Sequence, residues 1–419
     1  MTKFATLDQA PTLSAKLMVL GVGGGGCNAI ESMMKRGLSG VEYVAINTDA
    51  QVLKTSQADY KIQIGTNLTK GLGAGADPNV GKKALEEDRE KIQKILEGSD
   101  MVFITAGMGG GTGTGAAPII ASIAKSVGAL VIGIVTKPFK WEGKKRMLNA
   151  ETGISEMRQY VDSLIVIPNE RILNVLEDSA GAFKAFDKPN EVLHEATRGI
   201  ADIITVKGQI NVDFADVRSV MNHSGEALMG CGIARGENRA EEAAQKAISS
   251  PLLEGISIKG AKNILLNVTA SSNLTMKEII DGNQIIHDAA GEESNIIFGL
   301  VLKEEMNENV SYTVIATGFN PNSGFKQTPK SNETDKRGQG KSEDNGGFLP
   351  FSLDDFEFNE NADFDVPTYK RMNKNFDVFS DNNKSKNAFN FEGRIEKPSK
   401  DNEEEKDSDS SDFLRMMMD

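Results

Sequence analysis

The sequence predicts an α/β protein, with a Rossmann-like parallel sheet in its first half, a smaller α+β domain behind it and a disordered C-terminal linker. Three observations carry this expectation. From Lys16 to about Thr136 short β-branched runs alternate with helical patterns, the signature of a parallel sheet covered by helices. A second block, from roughly Gly225 to Phe319, offers a helix followed by strands. From Asn320 onward Asn, Lys, Asp, Glu, Ser and Gly dominate and no apolar period survives, as in chains that cannot bury a core.

In the first half the candidate strands are KLMVLGV, VEYVAIN, DYKIQIG, DMVFITAG and ALVIGIVT, with helices between most of them, and then SLIVIPN ending at Asn169. A helical stretch follows from about Pro189 to Val206, in which Leu193, Ala196, Ile200 and Ile203 recur at helical spacing. In the second block the helix is ENRAEEAAQKAIS and the strands are GAKNILLNVTAS, NIIFGLVL and YTVIATGF. In the polar tail nine of the 19 phenylalanines fall between Phe348 and Phe391. They read either as a docking segment or as scattered apolar residues in a loose chain.

Composition excludes several classes. At 419 residues and 39% apolar content the chain can build two domains. The start, MTKFATLDQAPTLS, has no apolar run, so no signal peptide is expected. No apolar stretch reaches the roughly 18 residues of a membrane span. Only Cys27 and Cys231 are present, too few for a disulfide framework or a four-cysteine metal site, and this fits a reducing cytoplasm. His194, His223 and His287 stand apart without metal-ligand spacing, so no protein metal site is expected. A net charge of -13 argues against nucleic acid as a partner.

Two glycine loops carry the chemistry. GVGGGGCNAI follows the first strand and opens a helix, where backbone N–H groups and the helix dipole favour an anion. Taken alone this is a dinucleotide fingerprint, with Asp49 near the position of a ribose-binding acid, so a nicotinamide enzyme is one reading. The second loop, GMGGGTGTG after DMVFITAG, exceeds what a dinucleotide fold requires. Two cradles suit a nucleoside di- or triphosphate gripped from both sides. Neither loop has the GK[ST] of a P-loop, so N–H groups, the hydroxyls of Thr112 and Thr114, and Mg²⁺ would meet the charge. Glycines for close helix packing would explain one or two of the nine loop positions.

Glu142 and Arg146 stand four apart and read as a surface ion pair or as groups at the nucleotide edge. Asp213 and Asp216 in NVDFADV read as solvated acids, a helix cap or something more.

GVGGGGCNAI, INTDAQ, GLGAGADP, GMGGGTGTGAAP, KPFKWEGKKRM, PNERIL and NVDFADVRSVM, in this order, strongly resemble the FtsZ family of bacterial tubulin-like cell-division GTPases. The resemblance covers roughly residues 14 to 320. It implies a GTP-binding domain with a long central helix over 14–206, an α+β domain carrying a catalytic loop over 207–320, a linker over 321–411 and a partner-binding tail over 412–419. It implies GTP hydrolysis to GDP, with Mg²⁺ but no dedicated ligand cage, and cytoplasmic filaments at the division site. Subunits would stack head to tail, so that Asn211, Asp213 and Asp216 reach the GTP of the next copy and polarise the attacking water. Gly24, Gly25, Gly26, Cys27 and Asn28 would line the phosphates from one side and Gly111, Thr112, Gly113 and Thr114 from the other. Ala74 and Gly75 would lie near the terminal phosphate. Thr136, Glu142 and Arg146 would face the ribose, and Asn169, Phe186 and Asn190 would hold guanine. The tail would dock division proteins and membrane tethers without direct membrane insertion. The chain departs from the family pattern at Trp141, where phenylalanine is commoner, and in the tail FLRMMMD, which lacks the usual proline. A DNA-partitioning filament of the same fold is the alternative role.

Overall fold

A computed structural model describes residues 15–173, 181–206, 208, 210, 212–253 and 258–319. The strands β1 (Leu17–Val22), β2 (Glu42–Asn47), β3 (Tyr60–Gln63), β4 (Met101–Gly107), β5 (Leu130–Lys137) and β6 (Ser163–Pro168) form a parallel sheet in the order β3-β2-β1-β4-β5-β6. Strands covered on both faces read as continuous apolar runs rather than as alternation, and every residue of β1, LMVLGV, is buried. Leu17 and Val19 enter one core layer while Met18, Leu20 and Val22 enter the opposite one.

The helices divide accordingly. α1 (Gly23–Lys35) and α2 (Ala50–Thr55) lie on the first face. After the short α3 (Thr66–Thr69), the helices α4 (Pro78–Glu87), α5 (Arg89–Leu96), α6 (Thr112–Ser126) and α7 (Lys144–Met157) pack on the second. The short α8 (Asn169–Leu173) precedes α9 (Ala182–Thr205), which covers the first face again with α10 (Phe214–Met221).

The second block continues the same sheet. β7 (Gly225–Arg235) pairs in parallel with β6 over Ser163 to Ile165 only, then antiparallel with the last strand. α11 (Arg239–Ile248), β8 (Asn263–Ala270), α12 (Met276–Ala290), β9 (Asn295–Leu302) and β10 (Asn309–Thr317) complete it, in the order β7-β10-β8-β9, around their own apolar core.

The sequence reading needs three amendments. The long helix begins at Ala182, not Pro189, and Pro189 lies inside it; its missing N–H forfeits one helical bond, which packing of the rest outweighs. β7 went unread because GEALMGCGIAR carries three glycines where alternation would show. α12 follows a capping box in which Thr275 and Glu278 satisfy each other's backbone N–H groups. The linker and tail expected over 321–411 and 412–419 lie outside the described residues. Among the described residues no helix is long and apolar enough to cross a membrane.

Candidate active site

β1 and β4 are neighbours, but the chain leaves β1 toward β2 and leaves β4 toward β5. A crevice therefore opens beyond their carboxyl ends, where open α/β sheets hold ligands. Both flanking helices start there without a side-chain cap, α1 after Val22 and α6 after Gly111. Their first-turn N–H groups are left for an anion. Gly23 turns at φ +72°, and a Cβ on it would lie 2.7 Å from the nitrogen of Gly113, so the two loops touch backbone to backbone.

A cavity of about 310 Å³ extends from this point along the edge of β4, β5 and β6 to the first turns of α9. Of the residues predicted for the nucleotide, Gly25, Asn28, Thr136, Glu142, Arg146, Asn169, Phe186 and Asn190 line it. Arg146 Nε lies 3.3 Å from Glu142 Oε2, while Glu142 Oε1 accepts from the N–H of Phe139 at 2.7 Å. The two residues are thus both an ion pair and part of the cavity wall. Asn169 Oδ1 is buried with no hydrogen-bond partner among the described residues, a group a ligand donor would satisfy. At the far end Phe139 stacks on Trp141 with 5.5 Å between ring centres, and Phe186 stands edge-on to both. An apolar end with amide groups around it suits a flat heterocycle with polar edges.

The other predicted phosphate residues are placed differently. Gly24 and Gly26 are buried in the first turn of α1, and a Cβ on Gly26 would come within 2.5 Å of the carbonyl oxygen of Thr105. Gly111, Gly113 and Gly115 press on neighbouring main chain or side chains in the same way. Close packing thus explains more loop glycines than the one or two expected. Thr112 and Thr114 find partners inside the protein. Thr112 Oγ1 is 2.6 Å from Thr48 Oγ1, and Thr114 Oγ1 accepts from the N–H of Gly109 at 2.8 Å. Cys27 donates weakly to the carbonyls of Gly21 and Ile46, and burial pushes its thiol up to about 12. From these buried positions the backbone N–H groups are what could meet a phosphate. Ala74 packs against Gly111, while Gly75 is exposed.

Asp213 and Asp216 do not reach the cavity. Asp213 caps α10, accepting from the N–H of Asp216 at 2.8 Å, and both side chains face solvent. Arg218 of the same helix donates to the carbonyl of Gly128, just before β5 begins. That is the amino end of a strand whose eight residues span about 25 Å. The acids therefore sit at the end of the sheet opposite the cavity. Asn211 lies outside the described residues. Asp49 accepts from the N–H of Gln51 as the cap of α2, which gives this carboxylate a local role without any ribose.

Phe139, Asp187, Leu193 and Gly107 also line the cavity and were not predicted. Each adjoins a motif that was read, and the helical step from Phe186 to Asn190 and Leu193 would have found one of them. Among the described residues no group of three or more His, Cys, Asp or Glu could hold a metal ion.

Comparison with known proteins agrees with this geometry. The model for the GTPase domain of the tubulin/FtsZ family matches residues 16–177, and that for the C-terminal domain of the FtsZ family matches residues 225–320. A point mutant of FtsZ from M. jannaschii is 43% identical, with a TM-score of 0.70, over 73% of this chain and 92% of that one. An FtsZ dimer from the same organism is 41% identical over 78% and 95% of the two chains, again at 0.70. The GDP-bound CetZ1 monomer from Haloferax volcanii, at 24% identity over 73% and 95% and a TM-score of 0.62, shares the fold. With two phosphate-binding loops at one switch point and these matches across both halves, the chain belongs to the FtsZ family of tubulin-like GTPases.

Proposed function

We propose that this chain polymerises head to tail into cytoplasmic filaments that form the scaffold ring at the bacterial division site, hydrolysing GTP between subunits. One observation carries the reading: the phosphate loops and the exposed acids of α10 occupy opposite ends of the same sheet. A copy stacked end on end would bring the acids of one subunit to the phosphates of the next. Such a heterologous contact does not close on itself and makes filaments. The FtsZ dimer from M. jannaschii is a precedent for self-association in a relative.

In this arrangement Asn169, Phe186 and Asn190 hold guanine, with Thr136, Glu142 and Arg146 at the ribose. The first turns of α1 and α6, over Gly24 to Asn28 and Gly111 to Thr114, bind the phosphates through N–H groups, with Ala74 and Gly75 near the terminal one. Asp213 and Asp216, with Asn211, orient and polarise the attacking water. Mg²⁺ would help neutralise the phosphate charge beside the loop N–H groups. The domain division at about residue 206, the linker over 321–411 and a tail that docks division proteins and membrane tethers belong to the same reading. The acidic tail with FLR favours division over a filament that carries DNA, which needs an adaptor-binding or basic tail.

Mixing two impaired variants tests it. One lacks both acids (Asp213→Ala with Asp216→Ala), and the other has a weakened base pocket (Asn169→Ala with Phe186→Ala). The mixture should hydrolyse GTP faster than the sum of its parts, because one variant supplies bound GTP and the other the acids. A rate equal to the sum would overturn hydrolysis between subunits.

A further inference from the structure

The catalytic reading leaves unused a buried carboxylate, Asp162, and the groups gathered around it. Asp162, just ahead of β6, is 2% exposed. Its Oδ1 lies 2.5 Å from Lys125 Nζ and 3.3 Å from His223 Nδ1, and its Oδ2 accepts from the N–H of Val131 at 3.0 Å. Its main-chain carbonyl accepts from the N–H of Gly225 at 3.1 Å and from Ser224 Oγ at 3.4 Å. His223 itself turns at φ +52°, in the left-handed region that favours glycine.

These contacts join three elements. Lys125 is in the last turn of α6, whose first turn carries the second phosphate loop. His223, Ser224 and Gly225 form the turn that leads from α10 into β7. Beside them Arg218 of α10 donates to Gly128, and the N–H of Gly128 donates to the carbonyl of Lys125. The apolar face of α10, Val217, Val220 and Met221, packs into the core but fixes its axis less strictly than directed bonds do. A buried carboxylate that gathers a lysine, a histidine and a main-chain N–H, with two more donors on the same residue's carbonyl, is costly to leave unpaired and ties these segments together.

We infer that Asp162, with Lys125 and His223, is a positioning cluster that sets the orientation of α10 and so the presentation of Asp213 and Asp216 to the next subunit. It rests on the reading in which those acids act across the interface. None of the three residues lines the cavity. The cluster ties the helix that opens at a chain's own phosphate site to the helix that offers acids to its neighbour's.

The test uses the full chain and compares Asp162→Asn with His223→Ala, measuring GTP affinity, sedimentable polymer and turnover per polymerised subunit. Small displacements of a catalytic group cost rate rather than affinity, so Asp162→Asn should lower turnover about tenfold with affinity and polymer retained. His223→Ala, which removes a side chain that is 73% exposed, should lower turnover less, in the same sense. Lys125→Arg, which keeps a cation on Asp162, should restore more than Lys125→Met. Wild-type turnover per polymerised subunit in both Asp162→Asn and His223→Ala would overturn the inference. So would a fall in GTP affinity that accounts for the lost rate. If Asp162→Asn does not fold, His223→Ala decides alone. Full turnover in Asp216→Ala would instead overturn the reading of the acids, whatever the cluster does.

Discussion

The two ends of the parallel sheet are built on opposite principles. At the carboxyl end the main chain dominates: glycines bring β1, β4, α1 and α6 within van der Waals contact, and two helices begin without caps. At the amino end side chains dominate, with Asp213 capping α10 and Asp216 free toward solvent. At the first end glycines such as Gly26 and Gly115 leave no room for a Cβ. The second is held by directed bonds at Arg218 and Asp162. On the proposed function, the contrast means that one chain carries both halves of a reaction about a strand's length apart.

The largest effect should separate the two ends. Asp216→Ala should leave GTP affinity unchanged and lower turnover by about 10² or more, the range of a positioned acid or base; equilibrium binding and phosphate release measure the two. Parallel loss of affinity and rate would erase the distinction between the ends.

The helix α9 spans both regions, and its pH response comes next. Burial first, then the Arg198 and Arg36 cations, push His194 down to about 4 from 6.5. Between pH 6.5 and 4 the unfolded chain binds this proton and the folded chain does not, so stability falls as pH falls through that window. The drop should reach about 3 kcal/mol by pH 4. His194→Gln should flatten the curve there in chemical denaturation.

A third test targets the backbone end. Gly26→Ala should cost about 1–3 kcal/mol by overpacking and weaken GTP binding as well. The smallest effect sharpens the side-chain end. Asp213→Ala should lose about 1 kcal/mol with the cap, whereas Asp213→Asn, an equally good cap, should keep stability and still lose turnover.

Much of this was legible in the sequence. The strands of the first half show as apolar runs, and the glycine loops mark the sheet edge. Asn169, Phe186 and Asn190 were named through the family resemblance, although Asn169 lies on a different element from the other two; all three line the cavity. What could not be read depends on three-dimensional approach. Nothing local in GGGTGTG tells that Thr112 meets Thr48, or that Gly26 lies under Thr105. The apolar spacing marked the long helix only from about Pro189, yet α9 starts at Ala182 and carries the proline inside it. Asp213 and Asp216 were visible as acids, but only the fold puts them at the end away from the cavity.

The most direct measurement is the rate of GTP hydrolysis as the concentration of the chain is raised. The account predicts a threshold below which activity vanishes, followed by a linear rise, because the site is completed by a neighbour. Activity proportional to protein from the lowest concentration would mean that a single chain holds the whole site, and the role given to Asp213 and Asp216 would be wrong.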